Sequence, residues 1–510
     1  MSNLSRRQFL TSVAALGLGT FAVASCTSGN TSGNGSSEKT SEASGKVLKV
    51  GALGKAASAQ RDPYKLLPND SDMLICSLIW EALTVPGEDK IVAPRLMKQW
   101  KQLNPMEWEF TIADGAKFHD GSEVTPKDVV WSLTKMLSDE ANGFRLPVDP
   151  KSIVASGERT VQMKTATPNS QLPMLARLMT FVMKEGSSPE KPVGSGPFKL
   201  MSWDNGSAKL QRFDDYHGTV AGFEEVHVVP FEDTTAMTNA LLAGQIDLAQ
   251  AVGPIAARSA ENNANVQIIK RSHDSVIPLI MRTSDGPFAD PKVREALRLG
   301  VDREQVVQRA LSGYGTVAYD ILGTGDPNID SSLMRHRDVE KAKQLLAQAH
   351  FDTSKTYDLF VTPEAPGQVE AMKVIAEQLG EIGVQIKVVQ QESGQFYDNT
   401  WTKADLYCGY WGTNDSVLFF AGKVLNGAAK SNESNFHDAE FDAVYAELLA
   451  STDQSKIDQL SKKLQKIEFE RGGYLVWGAS DGVDIAAKGL SGLPKAPGYG
   501  RVLLETVKKA

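Results

Sequence analysis

Cys26 is the residue whose neighbours most plainly set up a reaction. Val23-Ala24-Ser25-Cys26 looks like a bacterial lipobox, in which the cysteine is acylated and becomes the mature N-terminus. Upstream, Ser5-Arg6-Arg7-Gln8-Phe9-Leu10 sets Arg6 and Arg7 ahead of a Gly/Ala-rich stretch over 11–24. At about 14 residues that stretch falls short of the roughly 20 that span a bilayer, so residues 1–25 read as a removable twin-arginine signal. The competing reading is ordinary cleavage after Ala22-Val23-Ala24, with Cys26 an incidental thiol. The segment that follows favours acylation: residues 26–46 form a tether dominated by Ser, Thr, Gly, Asn, Glu and Lys, a composition that cannot bury a core. The expected location is the outer face of the bacterial cytoplasmic membrane, lipid-anchored at Cys26.

Other constellations do not assemble into a reaction centre. His273-Asp274-Ser275 holds the letters of a hydrolytic triad, but sequence adjacency is not triad geometry. Gly194-Ser195-Gly196 lacks the Gly-x-Ser-x-Gly spacing of a nucleophile elbow. No Gly-x4-Gly-Lys loop is present to cradle phosphates, so ATP hydrolysis would belong to a separate subunit. The 7 histidines are scattered, and His119 has no second His or Cys at ligand spacing, so no metal site is expected. Neither catalysis nor a cofactor is expected. Cys76 and Cys408 leave a disulfide open outside the cell, although Cys76, within Met73-Leu74-Ile75-Cys76-Ser77-Leu78, reads better as a small hydrophobe.

The body beyond the tether is long enough for two or three packed units at about 150 residues each. The formal charge of −8 becomes −10 once Arg6 and Arg7 leave, because residues 1–25 contain no acid. Without a basic cluster interleaved with aromatics, nucleic acid is not an expected partner.

Helical and strand patterns alternate, which argues for an α/β architecture. Trp108, Phe110 and Ile112 alternate with polar residues as in a strand. Asp120-Gly121 suits a tight turn. Thr125, Pro126 and Asp128 open a helix whose inner face is Val129, Val130, Leu133, Met136 and Leu137. Asp290-Pro291 and Asp302 start two further helices, the second ending near Gly313. Val339 to Ala349 carries another apolar stripe. A helix over Val369 to Ile382 stops at Gly383 and leads into the alternating Val384, Ile386 and Val388.

The order of these segments resembles solute-binding protein family 5, the oligopeptide-, dipeptide- and nickel-binding receptors of bacterial ABC importers. Ile79-Trp80-Glu81-Ala82-Leu83 with Ala93-Pro94-Arg95-Leu96 and Trp100 is similar to the family's opening. Glu109 to Val130, through Phe118-His119-Asp120-Gly121, is the most diagnostic stretch. Val193-Gly194-Ser195-Gly196-Pro197-Phe198, Asp215-Tyr216, Pro287 to Arg303, and Asp338 to His350 follow in order. The resemblance implies a two-lobed periplasmic-binding-protein fold with an extra third domain and a hinged cleft. It implies a discontinuous first lobe (47–80, 186–280 and 476–510), an inserted small domain (81–185) and a further lobe (281–475). It also implies a monomer that binds oligopeptides or dipeptides and delivers them to a membrane permease and its ATPase. The alternative is the same fold around a nickel chelate, haem, an opine or an oligosaccharide.

By the same resemblance, the cleft is to be sought in Asp405-Leu406-Tyr407-Cys408-Gly409-Tyr410-Trp411-Gly412-Thr413-Asn414-Asp415. In peptide-binding relatives an Asp three residues after the Trp pairs with the peptide's α-ammonium. Here that position holds Asn414, and Asp415 comes one later. Asn414 offers a carbonyl oxygen without charge. Asp415 either takes over the ammonium or caps a helix over 416–420. Tyr410 and Trp411 are candidates to stack on ligand. Main-chain and water-mediated contacts to a peptide would leave no motif, so the sequence is silent on specificity.

Overall fold

The computed structural model describes residues 46–510 apart from 66, 68, 88–90, 140, 141, 143–145, 178, 414, 415 and 497–502. Arg6, Arg7, Cys26 and the tether through 45 lie outside the described residues, as do Asn414 and Asp415.

Three sheets organise the body. The largest runs Val266–Val276, Gly478–Ala487, Leu248–Ala249, Val47–Leu53, Glu225–Phe231, Ser207–Arg212, Phe198–Asp204, with Gly315–Val317 also pairing on Gly478–Ala487. Val47–Leu53 is central, parallel to both neighbours, and Leu48, Val50 and Ala52 are buried on it. A five-stranded sheet runs Gln385–Gln390, Thr356–Val361, Leu406–Cys408, Leu279–Met281, Tyr474–Leu475. An antiparallel four-stranded sheet, Met97–Asn104, Glu107–Ile112, Thr160–Lys164 and Val154–Ala155, comes from the chain segment between Val47–Leu53 and Phe198–Asp204 of the largest sheet.

Local signals place the helices as the sequence predicts. Thr125 and Asp128 close a capping box on Pro126–Leu137. Asp290, Asp302 and Asp338 each accept a backbone N–H at the N-caps of Pro291–Gly300, Arg303–Leu311 and Val339–Gln348. Gln368–Glu381 ends before Gly383, which has φ +91°, and leads into Gln385–Gln390.

The chain crosses between the two main sheets twice, side by side. Val276 to Leu279 passes one way and Leu475 to Gly478 the other, and Leu279 pairs with Leu475 while Val276 pairs with Ala479. The Trp477 indole donates to the Ile277 carbonyl at 2.7 Å, bolting the crossings together.

A buried polar joint fixes the four-stranded sheet to the largest one. Glu81 accepts from Ser195 Oγ at 2.9 Å, Tyr216 at 2.8 Å and His217 Nε2 at 3.0 Å, and Arg95 Nε lies 3.3 Å away. Arg95 also pairs with Glu505 near the C-terminus. Burial alone would raise the Glu81 carboxyl; His217, Arg95 and Tyr216 outweigh it and hold the group below its ordinary value. His119 donates from Nε2 to the Gly196 carbonyl at 2.9 Å, and its backbone N–H bonds Gly194. Burial lowers His119 to about 4, so the ring is neutral. A Cβ at Gly194 would stand 1.9 Å from the Ile79 carbonyl oxygen, so only glycine permits that approach.

Cys76 and Cys408 are buried free thiols, each packed among core residues.

Candidate functional site

Leu406–Cys408 pairs antiparallel with Leu279–Met281, and the same run continues onto the end of the largest sheet. Gly409 N–H bonds the Pro278 carbonyl at 3.0 Å, and Trp411 and Val276 exchange both backbone hydrogen bonds at 3.0 Å. A Cβ at Gly409 would stand 2.7 Å from Ile280 Cδ1, so a larger residue there would displace that side chain. Successive residues of an extended run face opposite ways. Tyr410 and Trp411 accordingly line two different cavities, which share Gly412.

Tyr410, 38% exposed, lines a cavity of about 770 Å³ between the two main sheets. One wall is Ala251, Gly253, Asp274, Ser275 and Asp481; the other includes Glu364, Pro366, Glu370 and Lys373. The walls come close at Gly253, where an added Cβ would lie 3.2 Å from Pro366. The lining holds the carboxylates of Asp70, Asp274, Glu364, Glu370 and Asp481 against one ammonium, Lys373. Behind it, Lys270 lies 3.5 Å from Asp481 and Arg271 lies 3.5 Å from Asp274, which offsets two of those charges. Burial raises the Asp481 carboxyl, opposed by Lys270 and His273. The cavity remains acidic, a setting that concentrates cations.

A bulge supplies Asp274. The pairing of Val266–Val276 with Gly478–Ala487 shifts between Arg271 and Ser275, and His273 sits at φ +58°. Asp274 then packs on Gly482, where any Cβ would lie 2.4 Å from its Oδ2. His273 Nδ1 meets Thr324 Oγ1 at 3.1 Å, and Ser275 is registered against Ser480, so His273-Asp274-Ser275 forms no triad.

Trp411 lines the second cavity, about 460 Å³ and predominantly apolar, with Met174, Leu175, Met179, Leu418 and Phe419. Met174 comes from the segment that carries the four-stranded sheet, and the Ser416 hydroxyl donates to its sulfur at 3.1 Å. Ser416 also accepts from Phe419 N–H at 3.1 Å as N-cap of Val417–Phe420. The N-cap, one of the two roles left open for Asp415, belongs to Ser416, whose extended backbone puts its hydroxyl over the first turn.

Glu433 stands behind this wall, a residue the sequence reading missed. Trp401 Nε1 donates to its Oε1 at 2.9 Å, and Trp411 Nε1 and Tyr474 OH donate to Oε2 at 3.2 and 2.9 Å. Burial raises its carboxyl above the ordinary value, against the pull of these three donors. Among the described residues no group of three or more His, Cys, Asp or Glu is placed to hold a metal ion. No helix among them is long and apolar enough to cross a membrane.

The family profile described as bacterial extracellular solute-binding proteins, family 5 Middle, matches residues 92–429. The oligopeptide-binding protein AppA of Bacillus subtilis (strain 168) is 29% identical over 401 residues, 71% of this chain and 73% of that protein. The heme-binding protein A of Haemophilus influenzae is 23% identical over 455 residues, 80% of this chain and 83% of that protein. The crystal structure of the ABC transporter substrate binding protein CtaP from Listeria monocytogenes superposes with a TM-score of 0.79 at 20% identity, covering 91% of this chain and 99% of that one. The fold is thus the two-lobed α/β architecture of periplasmic binding proteins.

Proposed function

Because the chain belongs to family 5 of the bacterial extracellular solute-binding proteins, the substrate-binding components of ABC importers, we propose that it captures oligopeptides or dipeptides in the cleft beside Tyr410 and Trp411 and delivers them to the membrane permease and its ATPase. The acidic cavity between the two main sheets carries this reading. Its volume lies within the range that encloses small ligands, and its carboxylates suit a peptide's α-ammonium, which needs an anion and hydrogen bonds to offset desolvation. The same charge disfavours haem, whose propionates are anionic.

The lobes are 47–80, 186–280 and 476–510 on one side and 281–475 on the other, with 81–185 as the inserted domain. The two crossings beside Trp477 are the hinge, and the ligand drives closure to the extent that it prefers the closed state. Asn414 or Asp415, which follow Thr413 in the sequence, is a further candidate to grip the ammonium. The mature chain works as a monomer leashed to the outer face of the cytoplasmic membrane through acylated Cys26, after export directed by Arg6 and Arg7. The tether keeps the receptor concentrated near its permease.

Calorimetric titration of the full-length protein with tri-alanine and N-acetyl-tri-alanine tests the reading. Binding of the free-amine peptide, weakened at least ten-fold by acetylation, is expected. Equal affinity for both removes the ammonium from the account, and binding of neither removes the peptide.

A further inference from the structure

The geometry points to the Trp411 cavity as a side-chain compartment of the cleft, which gives the receptor a preference for peptides bearing one bulky apolar residue of the Leu, Met or Phe class. The inference rests on the cleft reading above and names the ligand chemistry that completes it. The two cavities meet at Gly412 and receive consecutive side chains of one extended run. A ligand whose ammonium lies on the acidic side of Tyr410 therefore has the apolar compartment within reach of its next groups.

The occupant follows from size and lining. A space of about 460 Å³ exceeds one water by more than ten-fold. Its walls, chiefly Met174, Leu175, Met179, Trp411, Leu418 and Phe419, offer dispersion contacts, and Lys423 is the single charged side chain among the described lining residues, so no carboxylate is there to pair a cationic side chain. Thioethers on one side adapt to different shapes, so the compartment selects for apolar bulk over one particular outline. The opposite wall is rigid: the Trp411 edge is tied to Glu433, and its ring packs edge-on against Phe419 and Phe420, at centroid distances of 6.1 and 5.8 Å. Met179 holds a left-handed backbone, φ +58°, which a side chain other than glycine adopts only when its surroundings enforce it. The Ser416–Met174 contact joins the two walls, so the compartment depends on both the inserted segment and the helix Val417–Phe420.

The test is calorimetric titration of the full-length protein with tetra-alanine and its four single-phenylalanine variants. At one position phenylalanine is expected to bind about ten-fold tighter than alanine or better, the gain that burying an aromatic side chain supplies. Leu175→Trp, which fills the compartment, is expected to bring that ratio close to one. Equal affinities at every position overturn the inference using the unaltered protein alone, as does a preference that Leu175→Trp leaves intact. If no tetrapeptide binds, the peptide reading fails, and phenethylamine decides the compartment separately. Binding of that amine, abolished by Leu175→Trp, keeps the compartment; no binding overturns it as well.

Discussion

Trp411 donates its indole proton to Glu433 across 3.2 Å, and Trp401 donates to the other oxygen of the same carboxylate at 2.9 Å. One buried acid thus fixes two tryptophans and Tyr474 behind the cleft wall. Glu433→Ala leaves the buried Tyr474 hydroxyl and the half-buried Trp401 and Trp411 indoles without this acceptor, which costs roughly 1–3 kcal/mol for each that stays unsatisfied. The expected loss in chemical denaturation is about 3–5 kcal/mol, with a shift in tryptophan emission. Glu433→Gln keeps a carbonyl for Trp411 and Tyr474 or for Trp401, and loses less. Equal stability of all three proteins contradicts a positioning role.

The joint around Glu81 predicts a separation of stability from binding. Gly194→Ala places a methyl group against the Ile79 carbonyl, and Glu81→Ala removes the acceptor of Ser195, Tyr216 and His217 and leaves Arg95 with Glu505 alone. Each is expected to destabilise by about 2–5 kcal/mol in urea unfolding. Neither residue lines the cleft cavities, so the affinity of the folded fraction should stay within about two-fold, a difference under 0.5 kcal/mol. A stable Gly194→Ala protein with lost affinity contradicts this division.

Glu468 predicts a pH slope. Burial pushes its carboxyl up to about 8, against a hydrogen bond from Leu322 N–H and the nearby Arg298. Its folded value lies above its unfolded value, so the unfolded chain releases this proton first. The neutral acid's contribution is complete below about pH 4.5 and is lost as pH rises towards 8. The slope from one such proton is at most about 1.4 kcal/mol per pH unit. Glu468→Gln should flatten the fall in stability between pH 5 and pH 8 by up to that amount; an unchanged profile shows that the carboxyl ionises normally.

The hinge proposed at the paired crossings predicts a change in closure without a change in chemistry. Trp477→Phe removes the 2.7 Å bond to the Ile277 carbonyl and should alter the ligand-induced compaction seen by small-angle scattering. Identical free and bound profiles for both proteins contradict a hinge at these crossings.

Much of the fold was legible because its signals are local. Thr125, Asp290, Asp302 and Asp338 cap helices through residues two or three positions away, and such spacings survive in a single sequence. The family-like blocks at Glu81, Arg95, His119, Gly194-Ser195-Gly196 and Tyr216 proved to be parts of one buried joint. They report the architecture and say nothing of the ligand. Tyr410 and Trp411 were found through the resemblance and do line cavities. Glu433 was missed because Ser431-Asn432-Glu433-Ser434-Asn435 reads as a polar loop, and only tertiary packing buries its carboxylate. Asp274 was visible only as part of a failed triad, since the bulge that turns it to the cleft arises from pairing with a strand two hundred residues away. Met174 and Met179 sit far from Trp411 in sequence and meet it only across the inserted segment.

The most direct test of peptide capture is a native mass spectrum of the full-length protein, taken before and after denaturation. The account predicts a ladder of released masses that fit short peptides, enriched in sequences with one bulky apolar residue. A single discrete non-peptide mass would contradict it and identify the cargo.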